Sequence, residues 1–404
     1  MSGYFSSVKN VFIKVIGKNG KQALKKPQTA IEQLASILDY VNLVAYPCNQ
    51  ELTKDWQMAF RGKLCLVWQL FILCLDVYSG YILLPHPLGI VMSAGVAFSV
   101  TIIAKFVIVW YNQEKYYSLV AFIIDVFHRN KTGLRERMLF NTTQTIFQHF
   151  KVVRAAMSVG ITLYSCYPLY DFFFRGNLTK VSPIMFPYLD DQVLQGYLIS
   201  CALNIVWVGW SLTGVYAVSC MFLLYVDVYD ALVSLVEDDL NAFDAMWETK
   251  CVDIKGRKLA FRNIVMEFMD IARYSVYMNE RFNFIATIQM GSTLFSLTTV
   301  LFGILKADYI SGIGASVYYV TEILTFSFIG QIMQDTTDRI GEVICNTNWY
   351  NYDVSYQQDL MLLLGIMQNV SCVRICNVYP LNFELGLSTL NTVYNIFMFL
   401  INSA

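Results

Sequence analysis

Seven stretches of roughly twenty apolar residues dominate this chain, at 63–84, 88–111, 152–174, 194–225, 284–305, 310–333 and 383–401. Each is long enough to cross the ~30 Å hydrocarbon core of a bilayer as a helix. Lipid offers no partner for free backbone N–H and C=O groups, so stretches of this length are expected to be helical. The composition agrees: of 404 residues, 56% are hydrophobic and 15% are charged, where a soluble domain carries about a quarter charged residues. The formal net charge of −1 gives no reason to expect nucleic acid or an acidic partner.

The placement of charge sets an orientation. Lys105 falls inside the second span, and Arg175, Lys180 and Lys306 fall on one side of the expected membrane. The remaining 25 of the 29 Lys and Arg residues lie in or beside the N-terminal segment and the segments after spans two, four and six. The positive-inside rule puts that crowded side, and the N-terminus, in the cytosol. An odd number of spans then leaves the C-terminus outside. The first 30 residues hold Lys9, Lys14, Lys18, Lys21, Lys25 and Lys26 without an apolar cleavable leader, so the first span is expected to act as its own insertion signal. The expected fold is an all-α membrane protein of seven transmembrane helices, one domain without repeats.

Two segments after spans four and five's entry read as helices continuing into the cytosol. Leu232, Leu235, Val236, Leu240 and Phe243 fall at helical spacing among Glu237, Asp238, Asp239 and Asp244. Ile264, Val265, Phe268, Ile271 and Ala272 repeat the pattern. Such stripes predict helices packing on one another below the membrane. The segment 354–373 is similar, and Pro380 separates it from the last span.

No enzyme chemistry is visible: glycine-rich phosphate loops, HExxH and GxSxG are absent. Three scattered histidines and ten cysteines without metal-ligand spacing imply no metal or cofactor, and the cysteines are expected to be free thiols. Asn177-Leu178-Thr179 places a glycosylation sequon at Asn177 in the long outer loop, 175–192. The sequons at Asn141 and Asn369 lie on the cytosolic side and are expected to stay unmodified.

The last span is apolar apart from Glu384 and a stripe of neutral polar groups. Ser388, Asn395 and Asn402 recur every seven residues, with Asn391 and Thr392 between them and Phe399 interrupting the stripe. Exposed amides are costly in lipid, so this face must meet protein or water. It is either the wall of a pore constricted near Phe399 or hydrogen-bonding glue inside a bundle. A pore would need several subunits, each donating one helix. The outer halves of spans two, three, four and six are rich in aromatic and small polar residues. Leu88 and Val91; Thr162, Tyr164 and Tyr167; Tyr197, Ser200, Asn204, Trp207 and Trp210; and Tyr318, Tyr319 and Thr321 could line an apolar cavity for a small volatile ligand. Ordinary packing and interfacial anchoring use the same residue types. Asp76 and Lys105 are intramembrane charges. Antiparallel helices put them at different depths, so they are expected to sit apart near the membrane boundaries, with Lys105 reaching the cytosolic face.

The C-terminal third carries a resemblance. Gly330-Gln331-Ile332-Met333, then Asp338, then Asn348-Trp349-Tyr350, a helix with Gln368 within 361–379, and a last span with Tyr394 near its middle resemble the insect odorant receptor family. Phe186-Pro187-Tyr188 is similar to that family's aromatic-proline patch in the outer loop. Met266 stands where many members carry His, and the ending Asn402-Ser403-Ala404 is unusually polar. The resemblance implies an odorant-gated non-selective cation channel in the plasma membrane of olfactory sensory neuron dendrites, with four subunits around one pore. It implies a cytosolic N-terminal segment (1–62), spans one to six with an outer odorant pocket (63–333), a cytosolic anchor helix (334–382) and a pore-lining last helix (383–404). The constriction would fall on Phe399, Asn402 and Ser403. The loop after span four is short, which makes the chain similar to a ligand-tuning subunit that works in a heterotetramer with the shared co-receptor. A gustatory-receptor-type channel would share the topology but prefer a polar ligand. A G-protein-coupled receptor would have the opposite orientation, and Asp338-Arg339-Ile340 follows span six, not span three. A transporter would show symmetry between halves, and none is visible.

Overall fold

A computed structural model describes residues 29–48, 50–52, 60–176, 179–187, 189, 193–248, 254–370 and 372–403. Within them the chain forms ten α-helices: α1 (Ala30–Ala45), α2 (Phe60–Leu83), α3 (Pro87–Tyr111), α4 (Gln113–Arg129), α5 (Gly133–Arg175), α6 (Leu194–Glu248), α7 (Ile254–Lys306), α8 (Gly312–Cys345), α9 (Val354–Met367) and α10 (Phe383–Ser403). Two short antiparallel strands, Arg374–Ile375 and Tyr379–Pro380, form a hairpin between α9 and α10. The expected all-α fold is borne out.

Helices α5, α6 and α7 run for 43, 55 and 53 residues, about twice the ~20 residues a bilayer needs. The excess forms the helical layer that the cytosolic stripes predict. Leu232, Leu235, Val236, Leu240, Phe243, Ile264, Phe268 and Ile271 are all buried. Helix α6 is the axis of the bundle, with every residue from 214 to 229 buried. A helix apolar all round belongs in such a centre. Far below the apolar spans, Phe243 packs edge-on against Tyr352 (5.1 Å between ring centres) and Tyr356 (5.9 Å), and Trp247 stacks on Tyr352 (5.4 Å). The Asn348 N–H donates to Asp244 (3.2 Å), so the Asn348-Trp349-Tyr350 turn is pinned to α6.

Five helices, α2, α3, α6, α7 and α8, are long and apolar enough to cross a membrane by themselves. Helices α5 and α10, which hold two of the seven expected spans, fall short by that measure. The reason is visible in the sequence: the span in α5 is bracketed by Arg154, Asp171 and Arg175, and α10 carries Asn391 and Asn395. Helix α10 is still 21 residues long, about 31 Å at ~1.5 Å per residue.

Besides α9, two described helices lie outside the expected spans. Helix α1 falls within the 1–62 segment, yet Leu34, Ile37, Leu38 and Val41 are buried against α5 and α6. Its start is written locally: the Thr29 hydroxyl accepts from the Glu32 N–H at 3.3 Å, a cap followed three residues on by an acid. Helix α4 likewise buries Leu119, Val120, Ile123 and Phe127.

The start of α10 is fixed by α8. A side chain at Gly330 would collide with the Leu381 backbone. Gln331 accepts from the Phe383 N–H (3.2 Å), and Asn382 donates to Gln334 (3.0 Å) while capping Leu385 (2.8 Å). The Gly330-Gln331 motif thus seats the last helix.

One pair midway along α5 and α6, just beyond the apolar spans, makes stability pH-dependent. The His149 ring nitrogen Nδ1 lies 3.0 Å from an Asp227 carboxylate oxygen. That hydrogen bond raises the imidazole above its ordinary value, and burial raises Asp227 above the carboxylate range. Both shifts mean the folded protein holds protons more tightly than the unfolded chain, so stability falls as pH rises. For His149 the gain is complete below about 6.5 and is lost as pH climbs through the raised value. The purified protein should melt at lower temperature at pH 8.5 than at pH 6, and His149→Gln should flatten that slope. An unchanged slope in the variant would show that this pair does not control it.

Candidate ligand cavity and last helix

A cavity of about 80 Å³ lies between α3, α5, α6, α7 and α8. A single water needs roughly 10–15 Å³, so the cavity holds more than one. Helix α3 contributes Val91, Met92, Ala94, Gly95 and Phe98; α5 contributes Gly160, Ile161 and Tyr164; α6 contributes Trp207, Val208 and Leu212. Val300 closes it from α7, Tyr309 from the α7–α8 turn, Ala315, Tyr318 and Tyr319 from α8, and Ser182 and Pro183 from the segment between α5 and α6.

Close helix contact shapes it. A Cβ on Gly160 would stand 2.8 Å from the Tyr318 backbone, and one on Gly314 would collide with the Tyr164 backbone. Glycines at both contacts let α5 and α8 touch main chain to main chain, as small residues do between membrane helices. That contact brings Tyr164 and Tyr318 to one wall. Phe98 stands edge-on to Trp207 (6.1 Å), Tyr318 (6.1 Å) and Tyr319 (6.4 Å), forming an aromatic cluster. At the outer end the Tyr309 hydroxyl lies 3.1 Å from the Val181 carbonyl, to which it donates, and 3.3 Å from the Tyr164 hydroxyl. The loop is tied down further: Met185 N–H donates to Ser79 (2.7 Å), Ser311 to the Lys180 carbonyl (3.4 Å) and Tyr197 to the Thr179 carbonyl (2.9 Å). Val181, Ile184 and Phe186 are buried, so this loop roofs the bundle.

Of the candidate residues, Val91, Tyr164, Trp207 and Tyr318 line the cavity together, and Tyr319 joins them. Leu88, Thr162, Tyr167, Tyr197, Ser200, Asn204 and Thr321 do not. Leu88 is half-buried in the first turn of α3. Thr162 and Thr321 donate to their own helices, at Ser158 (2.7 Å) and Val317 (2.8 Å). Tyr167 is half-buried elsewhere on α5. Tyr197 stacks on Phe172 (5.8 Å), Ser200 and Asn204 are buried on α6, and Trp210 donates to the Pro47 carbonyl (3.2 Å). Asn177 and Tyr188 lie outside the described residues.

The structure also brings in residues that the sequence reading passed over. Glu322 is fully buried one turn below Tyr318, whose hydroxyl donates to it at 2.8 Å, and Gln289 donates to its other oxygen. Lys105 faces the same place: its ammonium lies 5.3 Å above the Phe326 ring and feels the Glu322 charge. The expectation that Lys105 reaches the cytosolic face is therefore corrected. It stays buried because a carboxylate and an aromatic face receive it inside the bundle. Asp76 is also buried, held by Ser99 at 2.7 Å, and as expected it makes no ion pair with Lys105. An acid in the middle of span six was the signal for Glu322.

Helix α10 packs on α7 and α8 through Gly386, Thr389 and Val393. Ser388, Asn391, Asn395, Phe399 and Asn402 all lie on the opposite, exposed side, and Phe399 is 69% exposed. Ser403 ends the helix. Within one chain, then, the polar stripe makes no glue between helices. None of the nine described cysteines forms a disulfide, and Cys251 lies outside the described residues.

The comparisons fit this geometry. No curated protein matches the chain. The solved structure of the insect olfactory receptor OR5 from Machilis hrabei is similar at a TM-score of 0.73 and 9% identity, covering 93% of this chain and 100% of that one. The same receptor in complex with eugenol matches equally well, again at TM-score 0.73 and 9% identity over 93% and 100% of the two chains. The 7tm Odorant receptor family profile matches residues 90–394, three quarters of the chain. By that match the chain belongs to the 7tm odorant receptor family.

Proposed function

We propose that this odorant receptor is the ligand-tuning subunit of a non-selective cation channel, gated by a small volatile ligand in the α3–α5–α6–α7–α8 cavity. The observation that carries the channel reading is the outward face of α10. Asn391, Asn395 and Asn402 are exposed on a helix long enough to span the membrane. In lipid such a face is costly, whereas four copies around an axis would turn it onto water. Phe399 on the same face would form the hydrophobic constriction with Asn402 and Ser403. The aromatic cavity supports the ligand reading, as does the eugenol complex of the similar Machilis receptor. The partner is the insect odorant receptor co-receptor in a heterotetramer at the plasma membrane of olfactory neuron dendrites. The N-terminus is cytosolic and Asn177, on the outer face, is glycosylated. The segment 334–382 serves as the cytosolic anchor.

The test is to express the chain with and without the co-receptor and record from excised patches, without GTP, under an odorant panel. Current only with both subunits is expected. Current from this chain alone would indicate a self-sufficient channel of gustatory type, and GTP-dependent responses without patch current would return the G-protein-coupled reading. In the co-expressed channel, Tyr164→Ala should raise the effective odorant concentration at least tenfold, since it removes an aromatic wall. Tyr167→Ala, outside the cavity, should shift it much less. Equal, small shifts in both would place the ligand elsewhere.

A further inference from the structure

Among the described residues, Asp76 and Glu322 are carboxylic acids with no exposed surface within the expected spans, and they are satisfied unequally. Glu322 receives Tyr318 and Gln289 and faces the Lys105 ammonium. Asp76 on α2 has no such set. Its Oδ2 accepts from the Ser99 hydroxyl at 2.7 Å, while its Oδ1 has no hydrogen-bond partner. Among the described residues no cation forms an ion pair with it. Buried carboxylates are kept by pairing and hydrogen bonding, so an acid with an empty oxygen asks for a partner.

The empty oxygen lies against the cavity. A Cβ on Gly95 would stand 3.1 Å from Oδ1, and Gly95 lines the cavity wall. Tyr164 and Tyr319, also on that wall, are near enough to feel the Asp76 charge. Oδ1 is sealed from solvent, but the wall there has no side chain. A small turn of the carboxylate, or a ligand pressed into the gap, brings the two together. On the cavity side stand Phe98, Trp207, Tyr318 and Tyr319. Aromatic faces around a carboxylate are the arrangement that recognises an ammonium group, through cation–π attraction and a charge-assisted hydrogen bond. A neutral hydroxyl could also donate to Oδ1, but only an ammonium adds the attraction between opposite charges.

We propose that the cavity selects small primary amines, with the ammonium nitrogen on Asp76 Oδ1 through the gap at Gly95 and the hydrocarbon part in the aromatic cluster. This rests on the cavity being the ligand site, and it is tested by binding, independently of current. 2-Phenylethylamine and 2-phenylethanol have nearly the same shape and differ in charge. Each is titrated against the purified full-length protein, reading intrinsic tryptophan fluorescence, to which Trp207 contributes from the cavity wall. The amine should bind at least thirtyfold more tightly than the alcohol. Asp76→Asn keeps the shape and the Ser99 bond and should erase that preference. Gly95→Ala places a methyl group between carboxylate and ligand and should cut amine affinity at least tenfold with little change for the alcohol. Should Asp76→Asn fail to fold, the Gly95 variant decides. Equal affinity for amine and alcohol in the wild type, or equal losses for both in the variants, would overturn the proposal. Amine binding that depends on Asp76 without any current in patches would uphold it and reject the channel reading instead.

Discussion

Gly314→Ala is expected to remove most of the folded protein from the membrane, although it adds one methyl group. The new Cβ would meet the backbone of Leu163 and Tyr164 on α5, not a movable side chain. Main chain cannot swing aside, so α5 and α8 would have to separate. Overpacking a close-packed interior typically costs about 1–3 kcal/mol and sometimes more, a large share of the ~5–15 kcal/mol that holds a typical domain folded. The reciprocal contact doubles the constraint: a Cβ on Gly160 would stand 2.8 Å from the Tyr318 backbone. Gly160→Ala should therefore behave alike. The control is Gly209→Ala on α6, where nothing lies within 4 Å. There alanine replaces glycine in a helix interior and should gain up to about 1 kcal/mol of helix propensity. Surface biotinylation and the monodisperse peak in detergent should fall sharply for the first two variants and hold or rise for the third. Normal yield of Gly314→Ala would mean that α5 and α8 do not touch there. Because these two contacts also set Tyr164 and Tyr318, any surviving protein should respond weakly to ligand.

Much of the fold was legible in the sequence because membrane burial and amphipathic burial both leave periodic marks. The stripe from Leu232 to Phe243 was readable below the membrane since its apolar residues alternate with acids, and all its apolar members are buried. Helix α1 was harder, because a short amphipathic helix beside a lysine-rich segment looks like solvated chain; only Thr29 and Glu32 marked its start. Direction was the recurring difficulty. The stripe on α10 could be read, but whether it turns into its own bundle or away from it depends on where α7 and α8 stand. The cavity shows the same limit. Tyr164 and Trp207 point into it, while Thr162 and Thr321 spend their hydroxyls on carbonyls one turn back. Hydroxyls in apolar helices have that local option, and spacing does not reveal when they take it. The electrostatic coupling of Lys105 to Glu322 joins positions more than two hundred residues apart, a distance at which the pattern of a single sequence carries no signal.

That coupling carries the second large effect. Glu322→Gln should destabilise the protein strongly, because it strips the one carboxylate near a lysine whose ammonium has no hydrogen-bond partner. Removing one of two opposite buried charges leaves the other uncompensated in a low-dielectric interior; a contacting pair loses about 3–5 kcal/mol in this way, and two charges out of direct contact should lose less. Lys105→Met should be comparably damaging from the other side, leaving Glu322 with only Tyr318 and Gln289. Combining the two removes both charges, and much of the loss should return, as when buried ion pairs are replaced by groups of similar shape. The readout is melting temperature in detergent across the four proteins of the cycle. Singles that melt far below wild type and a double that recovers would establish the charge coupling; strictly additive losses would refute it. The recovered double should still differ in function. Tyr318 donates a hydrogen bond to Glu322 from the cavity wall, and a side chain at Gly386 on α10 would collide with Ser327, five residues beyond Glu322 along α8. Cavity and last helix therefore meet the same two turns of α8. A double variant that folds and binds ligand yet opens poorly would show that the buried carboxylate also transmits occupancy from the cavity toward α10.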